Sequence, residues 1–350
     1  MAISVLSILL DGLGTAGWGT EEGAYIILVD EVKKLENPSL VAPTNLFLDE
    51  VAEEIYVGRG RHIYVFNPTA ILLARLDAGA EVTARRLALD SQGTIYTLDW
   101  DQNRVWRYDF FGKRLGELKL EGLPPGADPQ KVSLAGLALD GQDRLYLLDA
   151  GNGYGYRTNP QGVIQQAIGE GKLRDYSDLD VSRDGGLLAF LSFEEGRVRT
   201  YRPSGELVAE FGRRTGSSGG FSQPVAVRLG PDKKVFVLDR NRATLLVFAP
   251  EGEFLGELGW GFGLPNDLRI DSRYHLLVAD ALANRLWSIK VSFQERKRRP
   301  APSLAPGDEG GKETMGTMGS SGSSGGPGPL GQSSLPEPWP GKEEVVPKRE

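Results

Sequence analysis

The sequence contains no cysteine, which excludes disulfides, thiolate-bound zinc, iron–sulfur ligation and a cysteine nucleophile, and leaves the redox compartment open. Histidine is nearly as scarce, with only His62 and His275 among 350 residues. Long apolar runs are also missing. The segment Met1–Leu10 is apolar but stops at Asp11 and has no basic flank, so it is too short to span a bilayer and reads poorly as a signal peptide. It is expected to form a short strand or cap in a cytoplasmic protein, with export as the alternative. Positive charge is in deficit as well: 40 basic and 47 acidic residues give a net charge of −7. That balance offers no general attraction for nucleic-acid backbones or anionic membranes. No stretch carries the periodicity of a helix of normal length.

What is present is a repeat. The apolar share of 40% with 25% charged residues is a globular composition that can bury a sizeable core. Its clearest unit is Leu87-Ala-Leu-Asp-Ser-Gln-Gly-Thr-Ile-Tyr-Thr-Leu-Asp99, followed by Asn103-Arg-Val-Trp-Arg-Tyr-Asp109 and Gly112-Lys-Arg-Leu-Gly-Glu-Leu118. Six copies align, their first strands beginning near Leu46, Leu87, Leu137, Leu179, Val227 and Leu268. A spacing of roughly 40–50 residues suits a four-stranded blade. Several strands, such as Leu145-Tyr-Leu-Leu148 and Val235-Phe-Val-Leu238, are apolar on successive residues, as expected of sheets packed on both faces. The reading is all-β: a six-bladed β-propeller of four-stranded antiparallel blades.

The sixth copy has no convincing fourth strand after Val291, whereas Tyr25-Ile-Ile-Leu-Val29 stands before copy one. We therefore expect Tyr25–Val29 to form the outer edge of blade 6 and so join the two ends of the propeller. The organisation expected is a lead segment over 1–19, the propeller over 20–294 and a tail over 295–350. The tail contains a Gly/Ser/Pro-rich stretch over 319–329, together with eight basic and eight acidic residues. It cannot bury enough apolar area to offset its ordering entropy and is expected to be disordered. Within it, Leu335-Pro-Glu-Pro-Trp-Pro-Gly341 combines a stiff proline-rich backbone with Trp339, an anchor suited to docking.

The stretch Gly219-Gly-Phe-Ser-Gln-Pro-Val-Ala-Val227, with Lys234-Val-Phe-Val-Leu-Asp239, Leu246-Val-Phe248 and Glu251-Gly-Glu-Phe-Leu255, resembles an NHL repeat. The likeness covers residues from about 20 to 294 and implies a six-bladed binding or scaffolding propeller with a protein or peptide partner. Propeller ligands usually sit at the channel mouth, where the inner strands begin. Aligned copies place Asn45, Arg86, Gly136, Asp178, Ala226 and Asp267 in equivalent positions, preceded by Thr44, Arg85, Ala135, Ser177, Val225 and Asn266. The candidate ligand-binding residues are thus Asn45, Arg85, Arg86, Asp178, Asn266 and Asp267. Equally, they can satisfy one another as a salt-bridge network plugging the channel.

Other repeated polar residues read as structural. Asp99, Asp149, Asp239 and Asp280 end second strands and are expected to accept backbone N–H bonds, one per blade. Arg104, Arg197 and Arg285 open third strands and are expected to be solvated or to bridge blades. No cofactor is expected under the binding reading. Two alternatives remain. Leu264-Pro-Asn-Asp267 is similar to the segment that supplies an Asn metal ligand in gluconolactonase-like propellers, which implies a divalent ion at Asn266 and a hydrolase. Single-stranded RNA binding would use Lys113, Arg114 and Lys119 near Trp106 and Tyr108. The amidating-lyase relatives of NHL propellers require three zinc-binding histidines, and this chain has two.

Overall fold

Strands formed from the Val-, Ile-, Leu- and Tyr-rich segments build six four-stranded antiparallel sheets in the computed structural model. It describes residues 25–295, apart from 80, 81, 100, 216 and 218. Blades 1 to 5 cover residues 45–77, 84–118, 134–168, 178–211 and 224–259, and blade 6 covers 265–295 with the N-terminal strand. The innermost strands touch in cyclic order, that of blade 6 returning to that of blade 1. The chain is a six-bladed β-propeller. The lead segment and the tail with Trp339 lie outside the described residues. Among the described residues no helix is long and apolar enough to cross a membrane.

The inner strands are Asn45–Asp49, Ala84–Leu89, Leu134–Leu139, Asp178–Val181, Pro224–Leu229 and Pro265–Ile270. They begin one to three residues before the repeat signal. In blades 2, 3, 5 and 6 the reason is a register shift near the start, as between Ala84 and Arg86, whose first pair lies before the apolar alternation begins. After that shift, Asn45, Arg86, Gly136, Asp178, Ala226 and Asp267 occupy equivalent rungs, opposite Gly58, Leu98, Leu148, Leu191, Leu238 and Ala279.

Six apolar clusters fill the six junctions between consecutive blades. Second strands such as Leu145–Asp149 and Val235–Asp239 are buried throughout, because each sheet presents apolar side chains to a neighbour on both faces. A fully buried Leu or Phe there contributes about 1.5–3 kcal/mol. No blade could bury these faces alone, so stability depends on neighbours and on ring closure.

Closure takes the expected form over a longer pairing. The N-terminal strand spans Tyr25–Glu36 and pairs antiparallel with Arg285–Glu295, from Tyr25 opposite Glu295 to Glu36 opposite Arg285. The sequence signal stops at Val29 because Asp30 and Glu31 interrupt the apolar run. The pairing absorbs them in a register shift between Val29 and Glu31 and continues. A paired outer strand at the junction removes the edge that would otherwise be left open.

Candidate channel-mouth site

The inner strand of each blade is a sheet edge, so its unpaired N–H groups need partners. Carboxylates of the preceding blade provide three. Asp178 Oδ2 accepts from Val227 N at 3.0 Å, Asp180 Oδ2 from Leu229 N at 2.8 Å, and Asp267 Oδ2 from Leu46 N at 2.8 Å. The last of these couples blade 6 to blade 1.

Arg228 of blade 5 sits among these acids and is 3% exposed. Its Nη1 donates to Asp178 Oδ2 at 2.6 Å, Nη2 donates to Asp267, and Nε donates to the Leu268 carbonyl at 2.8 Å. One guanidinium therefore joins blades 4, 5 and 6. Arg86 reaches from blade 2 to Asp178 Oδ1 at 3.0 Å. In blade 3 the equivalent rung is Gly136, where an added Cβ would lie 3.2 Å from Leu179 N. Arg269 lies 3.6 Å from Asp267 and donates to the Leu268 carbonyl.

The electrostatics follow from this geometry. Burial would raise the pKa of Asp267, but Arg228, Arg269 and Arg86 hold it below its ordinary value. Asp180 goes the other way, raised mainly by burial although Arg228 and Arg269 oppose the shift. Burial and the like charge of Arg228 push Arg269 down to about 10, so it remains cationic at neutral pH. Arg228 is raised, because the attraction of Asp178 and Asp267 outweighs its burial.

Of the expected residues, Asn45, Arg86, Asp178 and Asp267 share one level of the channel. Asn45 is fully buried, and its amide lies where a Cβ on Gly58 would fall, 2.6 Å from Nδ2. Asn266 does not join them. Its Oδ1 accepts from Arg240 Nη2 at 2.6 Å and its Nδ2 donates to the Pro43 carbonyl at 3.2 Å, because it is the extra residue of the register shift between Pro265 and Asp267 and has no channel-facing rung. Arg85 lies within the inner strand of blade 2, and its side chain is outside the described residues. The sequence reading missed Asp180, Arg228 and Arg269, one rung further along the same face. Stepping two residues along each strand from the aligned positions, by the period-two alternation of a strand, could have found them.

At the far end of the channel the turns after the inner strands are tied together. Glu50 of blade 1 accepts from Ser272 N and Oγ of blade 6 and lies 3.7 Å from Arg183 of blade 4, the blade opposite. Asp143 accepts from Ser91 of blade 2, and Lys233 of blade 5 pairs with Asp184 of blade 4 at 2.7 Å. The channel is thus lined by a network of ion pairs and hydrogen bonds that crosses the blades.

The repeated aspartates are structural, as expected. Asp239 accepts from Ser222, Gln223 and Arg242 backbone N–H groups, and Asp280 from Gly263, Leu264 and Ala283 as well as the Trp287 indole. Asp149, Asp239 and Asp280 thereby tie the entry of their own inner strand to the turn after the second strand, whereas Asp99 accepts from Asp101 N and Gln102 N within the turn. Arg104, Arg197 and Arg285 pair with Glu117, Glu210 and Glu36 on the fourth strands of their own blades, so these contacts do not bridge blades.

A metal at Asn266 does not fit this donor set. A guanidinium already occupies the amide oxygen, and the adjacent Asp267 carboxylate is held by Arg228. Part of the basic–aromatic surface expected for RNA is engaged within the propeller. Tyr108 is buried with its hydroxyl on the Ala78 carbonyl, and Arg114 donates to the same carbonyl while lying 4.4 Å over Trp106.

Solved structures similar to this chain include a streptogramin B lyase, at TM-score 0.58 and 11% identity, covering 78% of this chain and 100% of that one. A catalytically inactive variant of virginiamycin B lyase from Staphylococcus aureus with quinupristin matches at TM-score 0.53 and 14% identity, covering 73% and 84%. The WD40 β-propeller domain of Doa1 matches at TM-score 0.53 and 12% identity, covering 81% and 97%. The likeness is one of fold. No family model and no curated protein sequence matches the chain.

Around the mouth itself, the entry segments and second turns of blades 6 and 1 expose apolar side chains. Leu282 is 71% exposed, Leu264 40% and Val41 38%. Hydrogen bonds tie these segments together: Ala281 N donates to the Leu264 carbonyl at 3.0 Å, and Ala42 N to the Asn284 side-chain Oδ1 at 2.8 Å.

Proposed function

We propose that this protein is a non-catalytic binding propeller of the NHL-repeat kind, whose channel-mouth face engages a protein or peptide partner. The observation that carries this reading is the exposed apolar surface of Val41, Leu264 and Leu282 beside the polar mouth residue Asn266. Grouped exposed apolar residues rimmed by polar ones are typical of interaction sites. Deeper in the channel, Arg228 and Arg86 pair with Asp178 and Asp267, so this network serves as a floor under that face. This reading requires no cofactor.

The test is affinity capture with the full chain, with a chain ending at Arg299, and with a Leu264→Asp/Leu282→Asp double variant. A specific protein retained by the first two and lost by the double variant is the expected result. Retention unaffected by the double variant, or no specific retention at all, removes the proposal. Metal analysis of protein purified without chelator provides a separate check. A stoichiometric divalent ion that disappears in Asn266→Ala would replace this reading with the hydrolase one.

A further inference from the structure

Arg240 begins the turn after the second strand of blade 5, and its guanidinium leans onto blade 6. Nε donates to the Pro265 carbonyl at 3.2 Å and Nη2 to Asn266 Oδ1 at 2.6 Å. These donors make up one edge of the planar fork, so the protein holds the side-on edge and leaves the Nη1–Nη2 end for another acceptor. Asn266 is fixed in turn by the Pro43 carbonyl of blade 1. The guanidinium is therefore preorganised, which reduces the ordering cost of binding.

Among the described residues, no carboxylate forms a salt bridge with Arg240. Burial lowers its pKa, and no neighbouring acid opposes that shift. Arg228 in the same propeller is more deeply buried, but it is surrounded by acids that more than reverse the effect. The apolar group adjoins this cation through Asn266, whose own chain leads back to Leu264. Leu282 lies over Gly263, where an added Cβ would come within 3.1 Å of the Leu282 Cβ.

We infer that this surface binds an internal peptide segment in which a Glu or Asp side chain stands beside a large apolar residue. The carboxylate docks on the open end of Arg240, and the apolar side chain covers Leu264 and Leu282. Charge complementarity selects an acidic partner, and the net negative charge of the chain disfavours polyanions, which need several basic contacts. The inference rests on the channel-mouth reading and assigns its partner chemistry.

The experiment measures fluorescence anisotropy of the full chain with three C-terminally amidated peptide pools: Glu/Asp with Leu/Phe, the same pool with Gln/Asn for the acids, and the same with Lys. A fourth pool is the Gln/Asn set with a free C-terminal carboxylate. The acidic pool is expected to bind best. Arg240→Gln should weaken that binding about tenfold, as loss of a charge-assisted hydrogen bond does, while leaving the Gln/Asn pool unchanged. Leu282→Asp should weaken both. An unaltered thermal midpoint for Arg240→Gln separates loss of recognition from loss of structure. Equal binding of the acidic and amide pools, or indifference to Arg240→Gln, overturns the inference. If the amide pool binds and is lost only in Leu282→Asp, the carboxylate assignment fails and the wider channel-mouth reading stands. Binding of the free-carboxylate pool as strong as that of the acidic pool overturns the side-chain assignment. Absence of binding by every pool also retires the inference, and capture decides the wider reading on its own.

Discussion

The two halves of the channel wall solve one problem by different means. On blades 4 to 6 the two rungs facing the axis carry Asp178 with Asp180, Ala226 with Arg228, and Asp267 with Arg269. On blades 1 to 3 the same rungs carry Asn45 with Phe47, Arg86 with Ala88, and Gly136 with Ala138. One half is held by charges that also cap edge N–H groups of the next blade. The other is packed with small or apolar groups and sends a single arginine across to Asp178. Equivalent backbone positions therefore do not imply equivalent energetics. The charged half is sensitive to removal of any one partner, whereas the packed half is sensitive to added volume.

Four perturbations probe this difference, beginning with the one that abolishes the ring in which both halves exist. Deleting residues 1–30 removes about half of the Tyr25–Glu36 strand and its pairing to Arg285–Glu295. Loss of soluble, cooperatively folded protein is expected, read by size exclusion and thermal unfolding. A soluble deletion with an unchanged midpoint would show that closure lies elsewhere.

Arg228→Met attacks the charged half by leaving Asp178 and Asp267 without their shared cation. Breaking a buried pair from one side costs about 3–5 kcal/mol, seen as a fall in thermal or denaturant midpoint. Converting Arg228, Asp178 and Asp267 together to apolar residues should recover much of that loss. A single variant as stable as the parent would mean that the network is not energetically coupled.

Gly58→Ala attacks the packed half through volume. The new Cβ would fall within 2.8 Å of the Asn45 side-chain amide, so the buried amide must move. A cost of about 1–3 kcal/mol is expected from overpacking. A neutral result would show that Asn45 relocates freely.

The smallest effect, and the most discriminating, is a difference in pH response between two carboxylates of the charged half. Asp267 has its pKa depressed from 3.8. It contributes stability above pH about 4 that is lost as pH falls through the lower folded value. Asp180 has its pKa raised from 3.8. There the folded state binds the proton more tightly than the unfolded state, so stability falls as pH rises from about 4 through the raised value. Asp180→Asn should flatten that fall and hold or slightly raise the neutral-pH midpoint, while Asp267→Asn should lower it. Midpoints measured from pH 3 to 8 check both, and matching profiles for the two variants would contradict the assignment.

The fold was legible because its signal is repeated. Six copies of strand, turn and strand fix the blade count, and the missing fourth strand of the last copy points to Tyr25–Val29. The site was only partly legible. Asn45, Arg86, Asp178 and Asp267 come from repeat alignment, because equivalent rungs face one axis. Asn266 next to Asp267 was grouped with them by adjacency, yet it is the extra residue of the register shift between Pro265 and Asp267 and does not share the Asp267 rung. Arg240 could not be ranked above other turn arginines, since nothing in its local sequence shows that it lacks an acidic partner.

The sequence alone determined the period, the strand content, the acidic balance and the absence of thiol chemistry, because these depend on composition and local alternation. The tertiary structure alone decided which charges meet. Arg228 joins Asp178, 50 residues before it, to Asp267, 39 residues after it, and closing the ring sets those distances. It also decided that Arg240 has no carboxylate partner among the described residues, because pairing across blades depends on the rotation between them and not on any single repeat.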